Sequence, residues 1–342
     1  MPFHFWGLTE AEKIVGTAEQ DVDRDAKAIE ADAEELVDEA RSSETAGYII
    51  GLLGWAIAGT VFVAVKYVQD EMPPWTMAWA RALLTALILT PFFVAHFQEL
   101  GQFLRRHGLH ALAIGAIGLG VTQGTMFSAL HQTTAVNAGI VFALAPIITM
   151  VMARFVLAEA MSALQWLGVF IAFAGVVTVT VQGDPERLAG LQIGLGELLA
   201  LLAAVLFAIY TVSLKRARFQ LSRVPLLGIM LFGGAIGAAP FALWEYSQGE
   251  HDNLGRNGYL ALLYMAIVGG AILYTLFNWS VEILGAGRAG ALVYTNPIFV
   301  AFFAWLILGE QLEWYHYLGA SIVAVGVVLI LRGRPKPVPS AS

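Results

Sequence analysis

Residues 138–176, AGIVFALAPIITMVMARFVLAEAMSALQWLGVFIAFAGV, return at 289–327 as AGALVYTNPIFVAFFAWLILGEQLEWYHYLGASIVAVGV. Ala138-Gly139, Pro146, Glu159, Gly168, Gly175 and Val176 recur, 151 positions on, as Ala289-Gly290, Pro297, Glu310, Gly319, Gly326 and Val327. Moving outward from this pair, Lys66 matches Lys215 and Pro91 matches Pro240 at an offset of 149, while Gly118 and Gln123 align with Gly269 and Tyr274. Self-similarity at one offset over most of a chain is the mark of a duplicated structural unit.

Each copy is apolar in blocks. The 342-residue chain is 58% hydrophobic and 13% charged, about half the charge of an ordinary soluble domain. Its apolar residues fall in runs of bilayer-spanning length, about 20 residues, ended by charge, Pro or Gly. Ten such runs are expected, near 46–68, 75–97, 109–130, 134–156, 163–182, 192–214, 224–246, 258–280, 287–309 and 313–332. The expected fold is an all-α membrane protein of ten transmembrane helices, with a first repeat over 46–182, a second over 183–332 and a short tail over 333–342. Five spans per repeat is an odd number, so the copies must lie upside down relative to each other, an architecture that transporters use to present one site to either side.

Orientation follows from the cations. Arg105, Arg106, Arg154, Lys215, Arg216, Arg218, Arg223, Arg288, Arg332, Arg334 and Lys336 fall on one side, and Lys66, Arg187 and Arg256 on the other. The positive-inside rule then places both termini in the cytoplasm.

The first 45 residues differ from the rest. They carry a net charge of −9, against +2 for the other 297, so the overall −7 belongs to the extension and says nothing about cargo. Residues 7–41 read as an acidic amphipathic helix, with Thr9 and Glu12 at capping-box spacing. Leu8, Val15, Val22, Ile29 and Leu36 form a seven-residue seam. That seam suits docking on a protein partner or self-association through residues 8–40; the alternative is a solvated, frayed helix.

These features resemble the drug/metabolite transporter superfamily, in particular its ten-helix EamA-type members. The resemblance covers residues 46–332. It is carried by the proline of the fourth helix, the glutamate near its end and the Gly-rich fifth helix: Pro146, Ala158-Glu159, Gly168 and Gly175, then Pro297, Gly309-Glu310, Gly319 and Gly326. Gly59, Thr60 and Lys66 fall in register with the family's first helix, and Pro74 and Arg81 with its second. Ala58 and Val61 stand where the family has Trp and Asn. The resemblance implies a first helix that lines a central cavity, Thr60 with it, and cargo among amino acids, other metabolites and drugs.

Arg81 is a charge well inside an expected span, where burial unpaired costs at least about 2.5 kcal/mol. Two readings stand for it: a contact to an anionic group on cargo, or a pairing with helix-end carbonyls or an acid near the outer face. Glu159 and Glu310 sit at equivalent helix ends, either as gates or as caps on the helix that follows. Glu197 and Glu282 lie near span ends, where hydration is expected. Thr122, Gln123 and Met126 on the third span join Tyr210 and Thr211 on the sixth, Tyr274 and Asn278 on the eighth, and Tyr294, Thr295 and Asn296 on the ninth. In hydrocarbon such groups must face a partner helix or a wet cavity, and their convergence from both repeats points to a lined cavity. Pro146 and Pro297 each leave one backbone carbonyl without its helical N–H, as hinges of broken helices do.

The chain has no cysteine and no nucleotide-binding Gly-x-x-x-x-Gly-Lys-Ser/Thr run, and the four of its seven histidines that lie near the expected membrane surfaces (107, 110, 131 and 316) share no ligand spacing. No cofactor, metal or catalytic constellation is expected, and no nucleic-acid partner. The expectation is a secondary transporter of a small metabolite such as an amino acid or a related amphipathic compound, in the bilayer of an inner membrane, working by alternating access. A multidrug or nucleoside carrier of the same fold is the nearest alternative. A membrane scaffold that recruits a partner through its acidic helix is the alternative from another class.

Overall fold

The computed structural model describes residues 43–61, 64–65, 71–94, 97–133, 135–190, 194–249, 253–308 and 311–333. The expected acidic helix, Lys66 and Glu310 lie outside the described residues. Residues Gly47–Ser342 form one compact unit.

Among the described residues the secondary structure is helical, without a strand. Nine helices among the described residues are long and apolar enough to cross a membrane: α1 (Ser43–Val61), α3 (Glu99–Gln132), α4 (Ala138–Val156), α5 (Ala163–Thr180), α6 (Leu195–Ala217), α7 (Arg223–Ser247), α8 (Arg256–Leu284), α9 (Ala286–Ile307) and α10 (Trp314–Arg332). Between the first two lies α2 (Pro74–Leu89), apolar but only 16 residues long. That is about 24 Å of helix against a hydrocarbon layer of about 30 Å. The run expected over 75–97 is cut because Pro91 offers no N–H to continue the ladder; Thr90 closes α2 with an i−3 bond to Leu87 (3.2 Å), and the chain restarts as Pro91–Val94. In the other direction, α3 begins ten residues ahead of its expected span, with an amphipathic turn bearing Glu99, Arg105 and Arg106.

The packing follows the sequence repeat. α2 packs on α7, α4 on α9 and α5 on α10, each pair drawn from matching places in the two copies. The α5–α10 contact is the most explicit. A Cβ built on Gly168 would lie 2.6 Å from the Gly326 carbonyl oxygen, and one on Gly326 would lie 2.5 Å from that of Gly168. The same holds for Gly175 and Gly319, at 2.9 and 2.8 Å. Gly168 therefore meets the later glycine of α10 and Gly175 the earlier one, so the two helices run antiparallel. Exchanging each residue for its counterpart 151 positions away turns one contact into the other. Small residues are needed here because in lipid helix association rests on close backbone approach and van der Waals contact.

Irregular backbone also recurs in register. α3 widens to a π-helix over Ala116–Val121 and α8 over Met265–Ile272. α4 breaks in a turn at Ala143–Leu144, just ahead of Pro146. α9 tightens to a 3-10 turn over Leu292–Thr295, just ahead of Pro297. Both breaks come where a proline withholds an N–H.

Candidate functional site

The π segments aim the site. Such bulges rotate the residues that follow them, and they are common at functional positions. Gln123 is the second residue past the one in α3 and Tyr274 the second past the one in α8. These two residues are repeat equivalents, 151 apart, and Gln123 Nε2 donates to Tyr274 Oη at 2.7 Å. Gly118 leaves no room for a Cβ because the Tyr210 ring lies against it. Tyr210 in turn stands edge-on to Tyr274, with ring centroids 6.5 Å apart, and donates to Asn278 Oδ1 at 2.7 Å.

Arg81 enters from α2 and is 5% exposed. Its guanidinium carbon is 5.9 Å from the ring centroids of both Phe127 and Tyr274, within the range of cation–π attraction. Among the described residues no carboxylate pairs with it. The turn that carries it is fixed by Thr85, whose hydroxyl lies 2.7 Å from the Arg81 carbonyl oxygen and 2.9 Å from that of Ala266, in the π segment of α8.

Arg81 faces a cavity of about 190 Å³, lined also by Ala58, Gln123, Met126, Tyr274 and Asn296. A second lobe of about 310 Å³ adjoins it, sharing Trp55, Met126, Leu130, Phe142 and Asn296 and adding Tyr294, Pro297 and His316. A third cavity, about 460 Å³, is lined by Lys215, Arg218, Arg223, Thr275, Asn278 and Glu282. It opens at the other end of the bundle: Thr133, just past α3, donates to Glu197 in the first turn of α6, so the far end of α6, where this cavity lies, is opposite. On α8, Leu273, Tyr274 and Phe277 line the first lobe while Thr275 and Asn278 line the third cavity, so over this stretch α8 presents one face to each and is part of the layer that separates them. Phe207 and Phe277 face the first lobe, and Tyr210, wholly buried, belongs to the same core cluster in that layer.

The expected site residues divide accordingly. Arg81, Gln123, Met126, Tyr274, Tyr294 and Asn296 line the two joined lobes. Tyr210 is wholly buried in the dividing layer and Asn278 lines the opposite cavity. Thr60 lines none of these cavities; its hydroxyl bonds Tyr264 Oη at 2.6 Å and the Ile57 carbonyl at 2.7 Å. From α1 it is instead Trp55, Ala58 and Val61 that reach the first lobe. Pro297 lines the second lobe, and the carbonyl it releases, that of Val293, is taken up by the Asn296 N–H.

Glu159 caps a helix, but not the one that follows it. Its two oxygens accept the N–H groups of Ala286 and Gly287, both at 3.2 Å, at the start of α9. α5 has its own cap, in which Ser162 and Gln165 bond reciprocally. Glu197, expected to be hydrated, is 5% exposed and accepts from Gly194 N–H at 2.8 Å. Glu282 is exposed and pairs with Arg223 at 2.9 Å, across helices rather than at helical spacing. Glu245 carried no signal in the sequence beyond lying near a span end. It is 2% exposed and holds the start of α2 by accepting from Trp75 N–H (3.0 Å), Thr76 N–H (2.8 Å) and Thr76 hydroxyl (2.9 Å). Trp55 was legible in one respect: unlike the tryptophans near span ends, it stands mid-helix.

The profile of the EamA-like transporter family matches this chain twice, over residues 45–181 and 194–332. The chain belongs to the EamA-like transporter family. Membership supports membrane transport of some small substrate and points to a transporter rather than an enzyme. Relatives include the uncharacterized transporter YyaM of Bacillus subtilis, 26% identical over 82% of this chain and 92% of its own length. An uncharacterized transporter of Archaeoglobus fulgidus is 26% identical over 78% and 91%. The uncharacterized inner membrane transporter YicL of Salmonella typhimurium is 25% identical over 83% and 94%. A solved crystal structure aligns with a TM-score of 0.66 over 84% of this chain and 96% of its own, at 19% identity, which speaks for the fold alone. In EamA terms, the two matched segments each contain a π segment and a proline break at equivalent places, the second has a further π segment over Ala304–Leu308, and the Gln123–Tyr274 bond joins them.

Proposed function

We propose that this EamA protein is a secondary transporter of a small, partly apolar metabolite, an amino acid or a similar amphipathic compound, and that it works by alternating access in an inner membrane. Its core would be ten helices, counting the short α2, in two inverted five-helix repeats with both termini cytoplasmic. The observation that carries the reading is the pair of cavities toward opposite ends of the bundle, with α8 presenting one face to each near the meeting point of Gln123 and Tyr274. Antiparallel α5 and α10, with their exchanged glycine contacts, support the inversion. The cavity rich in Lys215, Arg218 and Arg223 is then the cytoplasmic one, by the positive-inside rule.

In this mechanism cargo occupies the lobe at Arg81, held against the Tyr274 and Phe127 rings. Rocking of one repeat against the other parts the Gln123–Tyr274 bond that joins them, and the dividing layer reforms behind the cargo. Pro146 and Pro297 provide the places where α4 and α9 bend. Glu159 and Glu245, each holding the start of a helix from the other repeat, keep those helices moving with their partners; Glu310 is proposed to do likewise.

The test is counterflow of labelled amino acids in liposomes carrying the purified protein. An amino acid that exchanges, and stops doing so in Arg81→Ala and Tyr274→Ala proteins that still fold, supports the reading. Exchange that survives both substitutions removes the cavity from it.

A further inference from the structure

Two features of the joined lobes go beyond that reading while resting on it. The first is charge. Among the described residues lining them, Arg81 is the one side chain of fixed charge. His316 accepts the Glu313 N–H at Nδ1 (3.0 Å), so its ring carries a single proton, on Nε2. The second is a group of polar atoms that are buried and lack a hydrogen-bond partner among the described residues: Trp55 Nε1, Tyr294 Oη and Asn296 Oδ1. All three residues line the second lobe, and Tyr294 is 1% exposed. Buried polar groups are nearly always bonded, so each one left over calls for an explanation. Together they offer a donor, a hydroxyl and an acceptor. Besides Trp55 and Asn296, the residues common to both lobes are the apolar Met126, Leu130 and Phe142.

We infer that the site narrows the amphipathic cargo of that reading to a monoanion with two poles, in preference to a zwitterionic amino acid: a carboxylate-like group for Arg81 and, across an apolar body, a neutral hydrogen-bonding group for Trp55, Tyr294 and Asn296. A monoanion makes the occupied cavity neutral. A zwitterion leaves the guanidinium charge uncompensated in a low-dielectric site, a cation doubles it, and a dianion reverses it. A neutral compound forgoes the charge-assisted bonds that Arg forms with a carboxylate.

Four probes that share a hydroxyphenyl end test this in detergent-purified protein, by the concentration at which each raises the melting temperature. They are 4-hydroxyphenylacetate (anion), free tyrosine (zwitterion), tyramine (cation) and 2-(4-hydroxyphenyl)ethanol (neutral). The monoanion is expected to bind at least about tenfold tighter than the other three, the advantage of one good charged contact. Phenylacetate, without the hydroxyl, is expected to bind about threefold or more weakly than its hydroxylated counterpart. Tyr294→Phe should erase that second difference and leave the charge ranking, whereas Arg81→Gln should erase the charge ranking. Equal binding by the four, tighter binding by the zwitterion or cation, or no binding by any of them overturns the inference. Counterflow of the same probes separates it from the transport reading. Flux of tyramine or free tyrosine without flux of the anion sinks the inference and spares transport. Binding of the anion with no flux of any probe sinks transport and spares the selectivity.

Discussion

α3–α4 and α8–α9 are built alike and furnished differently. Both have a π segment before the residue that reaches the centre, and both break before a proline. Yet the break in α9 is Tyr294-Thr295-Asn296, and the matching break in α4 is Ala143-Leu144-Ala145. Gln123 faces Tyr274 rather than another glutamine. Arg81 has no charged counterpart: Met230, which stands in its place on α7 at the offset of 149, is fully buried against Gly115. The difference teaches that duplication is retained where backbones must touch or bend. The side chains that can meet cargo have no reason to match, because one ligand is not itself two-fold symmetric.

The largest expected effect breaks the shared scaffold. Gly175→Val and its equivalent Gly326→Val each force a branched side chain against backbone and should cost about 3 kcal/mol, the upper part of the range for overpacking. Melting in detergent should place the two within about 1 kcal/mol of each other; a clear inequality would mean that the α5–α10 contact is less symmetric than its glycines suggest. Next comes the asymmetry itself. Arg81→Gln should lower substrate counterflow about 100-fold, equivalent to about 2.7 kcal/mol, while Met230→Leu in the matching place changes it less than about twofold.

The caps come third. Glu245→Gln loses the charge of a buried carboxylate that accepts three bonds and should cost about 2 kcal/mol. Glu159→Gln, at a more accessible helix start, should cost about 1 kcal/mol; both are read by melting. The smallest effect concerns the bond on the axis. A double-mutant cycle of Gln123→Leu and Tyr274→Phe should return a coupling of about 0.6 kcal/mol, typical of a polar contact between membrane helices.

The helices were legible because bilayer thickness imposes a length on each run, and the repeat was legible because matching glycines and prolines have only one use at each place. Gln123, Tyr274, Tyr294 and Asn296 could be found because polar groups in an apolar run need a reason. What the sequence withheld is direction around the helix axis. Thr60 and Val61 are neighbours, but Val61 turns into the first lobe while Thr60 turns to Tyr264. The π segments also went unforeseen, since a widened turn leaves no mark in hydropathy, and they decide which way Gln123 and Tyr274 face. Glu159 and Glu245 were visible as carboxylates at span ends, yet the helices they cap are remote in sequence, and only the packing of one repeat on the other brings them there.

The chain has no cysteine of its own, which makes the central claim directly measurable. Met126→Cys places a thiol in the lobe at Arg81, and Thr275→Cys places one in the cavity lined by Lys215 and Arg223. Labelling with a membrane-impermeant maleimide, applied to either face of oriented vesicles, should modify Met126→Cys from the outer face and Thr275→Cys from the cytoplasmic face. Modification of both from the same face would contradict two opposed cavities divided by a single layer, and with it the alternating-access account.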